Sequence, residues 1–141
     1  MEITYAEHSN AEAIYNLICE LENCELDKSA FIEIFDKNLG NKDIQYLVSK
    51  QGNDIVGFIS IYMHYLLHHA SKIAEIQELI ITERYKSQGI GSMLFAKAKE
   101  TAKENGCSQM EVCCNLRRNK SHLFYEKQGM EKTSYKFIIE L

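Results

Sequence analysis

Leu79-Ile80-Ile81-Thr82-Glu83-Arg84-Tyr85-Lys86-Ser87-Gln88-Gly89-Ile90-Gly91-Ser92-Met93-Leu94 is the stretch that decides the fold. Its first residues are apolar and β-branched, as in a buried strand, and the strand ends at Thr82. A short polar loop follows, with two glycines spaced Gly-x-Gly. An amphipathic helix then runs from Ile90 to about Asn105, with Ile90, Met93, Leu94, Ala98 and Ala102 on its apolar side and Gly106 as its stop. A loop of little side-chain bulk that opens a helix leaves backbone N–H groups pointing outward. Such a site binds anions, phosphates above all.

Three phosphate-loop chemistries compete for this stretch. A P-loop requires Gly-x-x-x-x-Gly-Lys-Ser/Thr, and no Gly-Lys pair stands here. A dinucleotide fingerprint requires a third glycine where this chain has Leu94, and it lies near the start of a βαβ unit rather than past mid-chain. The remaining pattern is a strand, then Lys86-x-x-Gly89-x-Gly91, then a helix. It resembles the acetyl-CoA loop of the GNAT N-acetyltransferases, whose signature is Arg/Gln-x-x-Gly-x-Gly/Ala. Lys86 keeps the charge of the first position without the planar fork of arginine. Ser87 stands where that family often has glycine. Neither change removes a backbone donor. The resemblance implies that Lys86, Ser87, Gln88, Gly89, Ile90, Gly91 and Ser92 hold the cofactor pyrophosphate. It also implies that the backbone of Leu79, Ile80 and Ile81 holds the pantetheine arm and polarises the thioester carbonyl.

Reading outward, Glu2–Glu7 alternates as a strand. Ser9-Asn10-Ala11-Glu12 reads as a capping box before a helix with Ala13, Ile14, Leu17, Ile18 and Leu21 at helical spacing. Asp27 can cap a second helix bearing Phe31, Ile34, Phe35 and Leu39. Ile44–Ser49 and Ile55–Tyr65 are β-rich runs joined by the hairpin signal Gln51-Gly52-Asn53-Asp54. Ile73–Thr82 is a long strand, Met110–Cys114 a short one, Ser121–Gln128 a short helix closed by Gly129, and Tyr135–Leu141 a final strand. The order β-α-α-β-β-β-α-β-α-β predicts an α/β fold with a mixed sheet and helices on both faces. It matches the GNAT fold over the whole length, with the phosphate loop after the fourth strand.

The bounds agree. A chain of 141 residues, 45% hydrophobic and 26% charged, suits a single domain over 1–141. No apolar run approaches membrane-spanning length and no signal pattern opens the chain, so a cytoplasmic protein without membrane partners is expected. The five cysteines, Cys19, Cys24, Cys107, Cys113 and Cys114, have no Cys-x-x-Cys spacing and suit reduced thiols. A net charge of −4 argues against broad nucleic-acid binding.

Arg118-Asn119-Lys120-Ser121-His122-Leu123-Phe124-Tyr125-Glu126-Lys127-Gln128-Gly129-Met130 resembles a second GNAT signature, with Met130 in place of the usual phenylalanine. The resemblance implies that Tyr125 sits beside the cofactor sulfur and protonates the leaving thiolate. Glu75 and Glu78 lie in an otherwise apolar strand, where carboxylates are costly without a purpose. An acceptor ammonium must lose a proton before it attacks a thioester, and either glutamate suits that task. Ala74-Glu75-Ile76-x-x-x-Ile80 resembles the histone-acetylating members, in which that glutamate acts through water; Glu78 lies nearer the loop. Their opposite parity puts them on opposite faces of a regular strand, unless a bulge resets the alternation.

The segments Leu17–Leu21, Glu25–Asp27, Ala30-Phe31, Tyr65–His69 and Glu75–Leu79, with Asn115 and Arg118, resemble the bacterial aminoalkylphosphonate N-acetyltransferases from about Tyr15 to Leu141. That likeness implies acetyl transfer to a small primary amine carrying a phosphonate. Asn115 joins the cofactor-binding set, and His68 and His69 join Glu75 and Glu78 in the substrate-binding set. The dianionic end needs cations, for which His68, His69, Lys72 or a bound divalent metal are the candidates. Polyamines, aminoglycosides and protein lysines remain alternative acceptors, and a non-catalytic acetyl-CoA-binding module is the alternative class. No histidine is placed by sequence to activate Cys113 or Cys114 for an acyl-cysteine route. A homodimer through the C-terminal strands is a further implication of the family.

Overall fold

Residues 1–141 are all described in the computed structural model. They divide into two compact units, Met1–Glu111 and Val112–Leu141. Along the chain run β1 (Glu2–Tyr5), α1 (Ala11–Glu22), α2 (Lys28–Leu39), β2 (Ile44–Gln51), β3 (Asp54–Leu66), β4 (Ser71–Ile81), α3 (Ile90–Glu104), β5 (Gln109–Val112) and α4 (Asn119–Lys127). The strands form one five-stranded sheet in the order β1-β2-β3-β4-β5. Pairing from β1 to β4 is antiparallel: short connections join β2 to β3 and β3 to β4, and the chain passes from β1 to β2 through α1 and α2. The α3 crossover brings β5 in beside β4 and makes the sheet mixed. No helix is long and apolar enough to cross a membrane.

Alternation along the strands builds two apolar faces in the first unit. On one face Ile14, Leu17 and Ile18 of α1 and Phe35 of α2 pack on Tyr46, Val48, Phe58 and Ile80. An aromatic series crosses this layer. Tyr15 meets Phe31 edge-on at 5.2 Å, Phe35 stacks on Tyr46 at 5.5 Å, and Tyr46 meets Phe58 edge-on at 5.4 Å. Each such pair adds about 0.5–1.5 kcal/mol beyond the area it buries. On the other face α3 presses Leu94 toward Ser49, Gly57 and Ile81.

Local chemistry explains several element ends. Asp27 caps α2, its carboxylate accepting the Ala30 N–H at 2.9 Å. Gly52 takes φ +64° in the β2–β3 hairpin, and Gly106 takes φ +79° just beyond α3. Three expectations are corrected. The capping box lies two residues earlier than Ser9–Glu12, with Glu7 as N-cap: the Asn10 side chain accepts the Glu7 N–H at 2.8 Å, and a 3-10 turn over His8–Asn10 leads into α1. Met93 is exposed and Phe95 is buried in its place. Residues 130–141 form no strand. The apolar alternation over Tyr135–Leu141 suits a strand, but a strand exists only through ladder hydrogen bonds. No backbone hydrogen bond of residues 131–141 is made, and Tyr135, Phe137, Ile138, Ile139 and Leu141 are exposed.

Candidate functional site

The pairing of β3 with β4 decides where the two glutamates point. Tyr62 pairs with Glu75 and Phe58 with Ile80. The interval between these pairs is one residue longer on β4 than on β3. The register shifts between the Ile61↔Ile76 and Ile59↔Leu79 pairs, so Gln77 and Glu78 together oppose Ser60. This is a β-bulge, and it resets the alternation. Residues directly opposite one another share a face. Glu75 therefore shares the face of Tyr62, and Glu78, two residues before Ile80, shares the face of Phe58. That is the face covered by α1 and α2. The opposite-face expectation for a regular strand is overturned: both carboxylates stand on one side.

Two side chains hydrogen-bond to them, and a tyrosine pair held by Asn38 stands on the same face. The hydroxyl of Ser60, a fully buried side chain, donates to a carboxylate oxygen of Glu78 and accepts the Glu78 N–H at 2.9 Å. The side-chain amide of Gln77 donates to Glu75. The Asn38 amide of α2 donates to the hydroxyls of Tyr46 at 2.8 Å and Tyr62 at 3.2 Å, and those hydroxyls lie 3.2 Å apart. Burial pushes the Glu78 carboxyl above its ordinary range. The Ser60 hydrogen bond opposes that shift, and the charge of Glu22 on α1 adds to it. Burial, then the Tyr46 hydroxyl and the Glu78 charge, push the Tyr62 phenol upward, so it stays protonated as a donor. Ser60, Tyr62, Asn38 and Glu22 were not singled out in the sequence. A lone serine inside the apolar run Ile55–Tyr65 was the signal available for Ser60.

The loop after β4 starts from a fixed point. Glu20 of α1 accepts from the Thr82 hydroxyl at 3.0 Å and the Glu83 N–H at 2.9 Å. A groove of about 510 Å³ runs beside this junction, lined in part by Asn16, Leu17, Glu20, Asp54, Thr82 and Arg84. Ser87 takes φ +62° and Gly89 φ +81°. Ser87 thus adopts the left-handed conformation that glycine adopts without strain. A Cβ built on Gly89 would meet nothing within 4 Å, so the loop faces open space. Ile90 is buried and anchors the first turn of α3, and Gly89 gives that turn no side-chain cap. Lys86 lies 2.8 Å from Glu83 on the exposed rim. Left-handed residues, an uncapped helix start and a rim lysine fit a polyphosphate.

The Acetyltransferase (GNAT) family model matches residues 11–130. The chain belongs to the GNAT acetyltransferase family. The aminoalkylphosphonate N-acetyltransferase of Salmonella typhimurium is 37% identical over 136 residues, which cover 96% of this chain and 88% of that protein. Among solved structures, a Bacillus halodurans protein described as a transcriptional regulator aligns with a TM-score of 0.91 at 23% identity, over 99% of both chains. An aminoglycoside acetyltransferase from a soil metagenome, solved with sisomicin, aligns with a TM-score of 0.85 at 18% identity, over 99% of this chain and 95% of that one. At such identities the structural likeness speaks for the fold alone. Family and relative together make this protein an N-acetyltransferase.

The remaining GNAT positions fall as follows. Leu79 and Ile81 are half-buried, and Ile80 belongs to the core under α1 and α2. His68 and His69 form a 3-10 turn at the β3–β4 tip, their rings 4.4 Å apart. No group of three or more His, Cys, Asp or Glu side chains is arranged to hold a metal ion, so the metal considered for this tip finds no ligand set. Lys72 is also withdrawn as a free cation. It pairs with Tyr65 in the ladder, on the face opposite Glu75, and its ammonium lies 3.1 Å from Asp43. His64, by contrast, is exposed, and its place two residues beyond Tyr62 on β3 puts it on the face of Glu75. In the second unit, Tyr125 is half-buried on α4. Burial and the neighbouring Cys114 push its phenol up to about 12, with Arg118 opposing. The side chain of Asn115 accepts the Arg117 N–H at 2.9 Å, and its backbone carbonyl lies 2.8 Å from His122 Nε2.

Proposed function

We propose that this N-acetyltransferase moves the acetyl group of acetyl-CoA directly to the primary amine of an aminoalkylphosphonate. One observation carries the choice of acceptor: the relative of that activity at 37% identity along 96% of the chain. The donor is supported by the family and by the fit of the Lys86–Ser92 stretch to a polyphosphate.

The chemistry assigns each group a task. The acceptor arrives as an ammonium, and the Glu75–Glu78 face attracts it. Glu78 is the general base. Its raised carboxyl is better matched to proton removal near neutrality than an ordinary glutamate. The freed amine attacks the thioester carbonyl. A C–N bond forms and the C–S bond breaks; the second proton that the nitrogen sheds on becoming an amide replaces the one Tyr125 shares with the departing sulfur, so coenzyme A leaves as the thiol, and the proton held by Glu78 passes to solvent. Backbone N–H groups at Leu79–Ile81 stabilise the oxyanion. Tyr125 serves as hydrogen-bond donor to the leaving sulfur. With its phenol at about 12 it remains protonated through the working range. His68 and His69 at the β3–β4 tip remain the partners proposed for the phosphonate, and His64, on the Glu75 face, joins them.

Thiol release from acetyl-CoA with 2-aminoethylphosphonate, ethanolamine, a polyamine, an aminoglycoside and a lysine peptide tests the reading. A kcat/KM for the phosphonate at least tenfold above that for ethanolamine supports it; a difference of about 1.4 kcal/mol corresponds to that factor. Equal values for both amines overturn it. Replacing Tyr125 by Phe should lower kcat by roughly tenfold or more. An unchanged kcat removes Tyr125 from the reaction.

A further inference from the structure

The bulge in β4 makes the two-glutamate face, and it is fixed from outside β4. Ser60 is the single β3 residue opposite Gln77 and Glu78. Its side chain is fully buried, so its hydroxyl has no water to fall back on. That hydroxyl has one proton and two acceptor positions. The proton goes to the Glu78 carboxylate, and one acceptor position takes the N–H of the same Glu78. The main chain and side chain of one residue are thus gripped by one atom across the strand boundary.

From this double contact we infer that Ser60 is a positioning residue for acetyl transfer, holding Glu78 in the bulge with one carboxylate oxygen committed and the other free for the acceptor. The inference rests on Glu78 being the base. Proton uptake is then balanced without rearrangement. The ammonium gives its proton to the free oxygen, the carboxylate becomes a carboxylic acid, and the committed oxygen goes on accepting from Ser60. A carboxylate free to rotate would divide its time between productive and unproductive directions, and small misplacements cost rate steeply.

The groups around Glu78 set the background for a pH test. Glu75 and Gln77 stand beside it on β4, Tyr62 faces it from β3, and Glu22 faces it from α1. Tyr46 of β2 and Asn38 of α2 reach it only through the Tyr62 hydroxyl. Among these contacts the Ser60 hydrogen bond is the one that lowers the carboxyl, against burial and Glu22. Its removal has a predictable sign.

The experiment compares Ser60→Ala, Ser60→Cys and Glu78→Gln in the full chain, by kcat, KM and the pH profile of kcat/KM with the best acceptor found. Thermal unfolding and acetyl-CoA binding serve as fold controls. In Ser60→Ala, kcat should fall roughly tenfold, KM for acetyl-CoA should hold, and the acidic limb should move to higher pH. Ser60→Cys, a weaker donor of similar size, should fall between the two, and keeps the test open if Ser60→Ala does not fold. An acidic limb and kcat that stay at wild-type values in either folded variant overturn the inference. So does a loss confined to KM. If Glu78→Gln itself keeps wild-type kcat, the assignment of the base fails, and this is distinguishable from failure of Ser60 alone.

Discussion

Gly57 is the position where one added methyl group tests the packing behind the phosphate loop. It pairs with Ser49 on β2 and Ile81 on β4, and it faces α3. A Cβ there would lie 2.4 Å from the Ser49 Oγ, 2.7 Å from the Ile81 Cδ1 and 3.1 Å from the Leu94 Cδ1. All three are closer than a van der Waals contact, and Ser49 and Leu94 are fully buried, with no solvent to yield into. Gly57→Ala should therefore cost about 2–3 kcal/mol, in the upper part of the range for overpacking. In a chain of this length that lowers Tm by roughly 6–12 °C. Ser49 offers an internal check. Its hydroxyl is buried and makes no hydrogen bond, so Ser49→Ala should be neutral or stabilising by up to about 1 kcal/mol. In the double variant the shortest clash is gone, and a coupling of about 1 kcal/mol or more is expected. Urea and thermal unfolding of the four proteins measure this cycle. Because Ile81 ends β4 and Leu94 lies in the first turns of α3, Gly57→Ala should also raise KM for acetyl-CoA. A Tm within 2 °C of wild type, or strict additivity of the two substitutions, would refute the packing argument.

Three further outcomes are expected. Glu78 has a carboxyl raised on folding, so its favourable contribution to stability is full below the unfolded-state pKa and is lost as pH rises through the folded one. Glu78→Gln should then gain stability relative to wild type near neutral pH and not at pH below about 4, as read by urea unfolding at both. Ser87→Gly should raise stability by about 0.5 kcal/mol, the relief of a left-handed φ of +62° less the entropy that glycine adds to the unfolded chain; Ser87→Val should lower it. His64→Gln should raise KM for 2-aminoethylphosphonate several-fold, roughly the worth of one charge-assisted hydrogen bond, and leave KM for ethanolamine unchanged.

The sequence carried the fold wherever period and turn chemistry agreed. The loop Lys86–Gly91, its place after the fourth strand and the glycines at 52, 89 and 106 were all legible, because each reflects a local backbone requirement. The last strand was not. Tyr135–Leu141 has the alternation of a strand, but alternation says nothing about whether a neighbour is there to complete the ladder. The candidate site divides in the same way. Glu75 and Glu78 stood out because carboxylates are rare in an apolar strand, while their common face depends on a bulge that arises only from pairing with β3. Ser60 and Tyr62 acquire meaning only through that register. The placing of Lys72 and His64 has the same origin: parity along β4 turns Lys72 toward Asp43, and parity along β3 sets His64 on the side of Glu75.

A crystal structure with coenzyme A and 2-aminoethylphosphonate bound tests the central claim most directly. The expected complex has the amine nitrogen within about 2.6–3.2 Å of the Glu78 carboxylate, or joined to it through one water, with the pyrophosphate on the Lys86–Ser92 loop and the phosphonate toward His64. An amine bound on the α3 face of the sheet, or held out of reach of both Glu78 and Glu75, would contradict it.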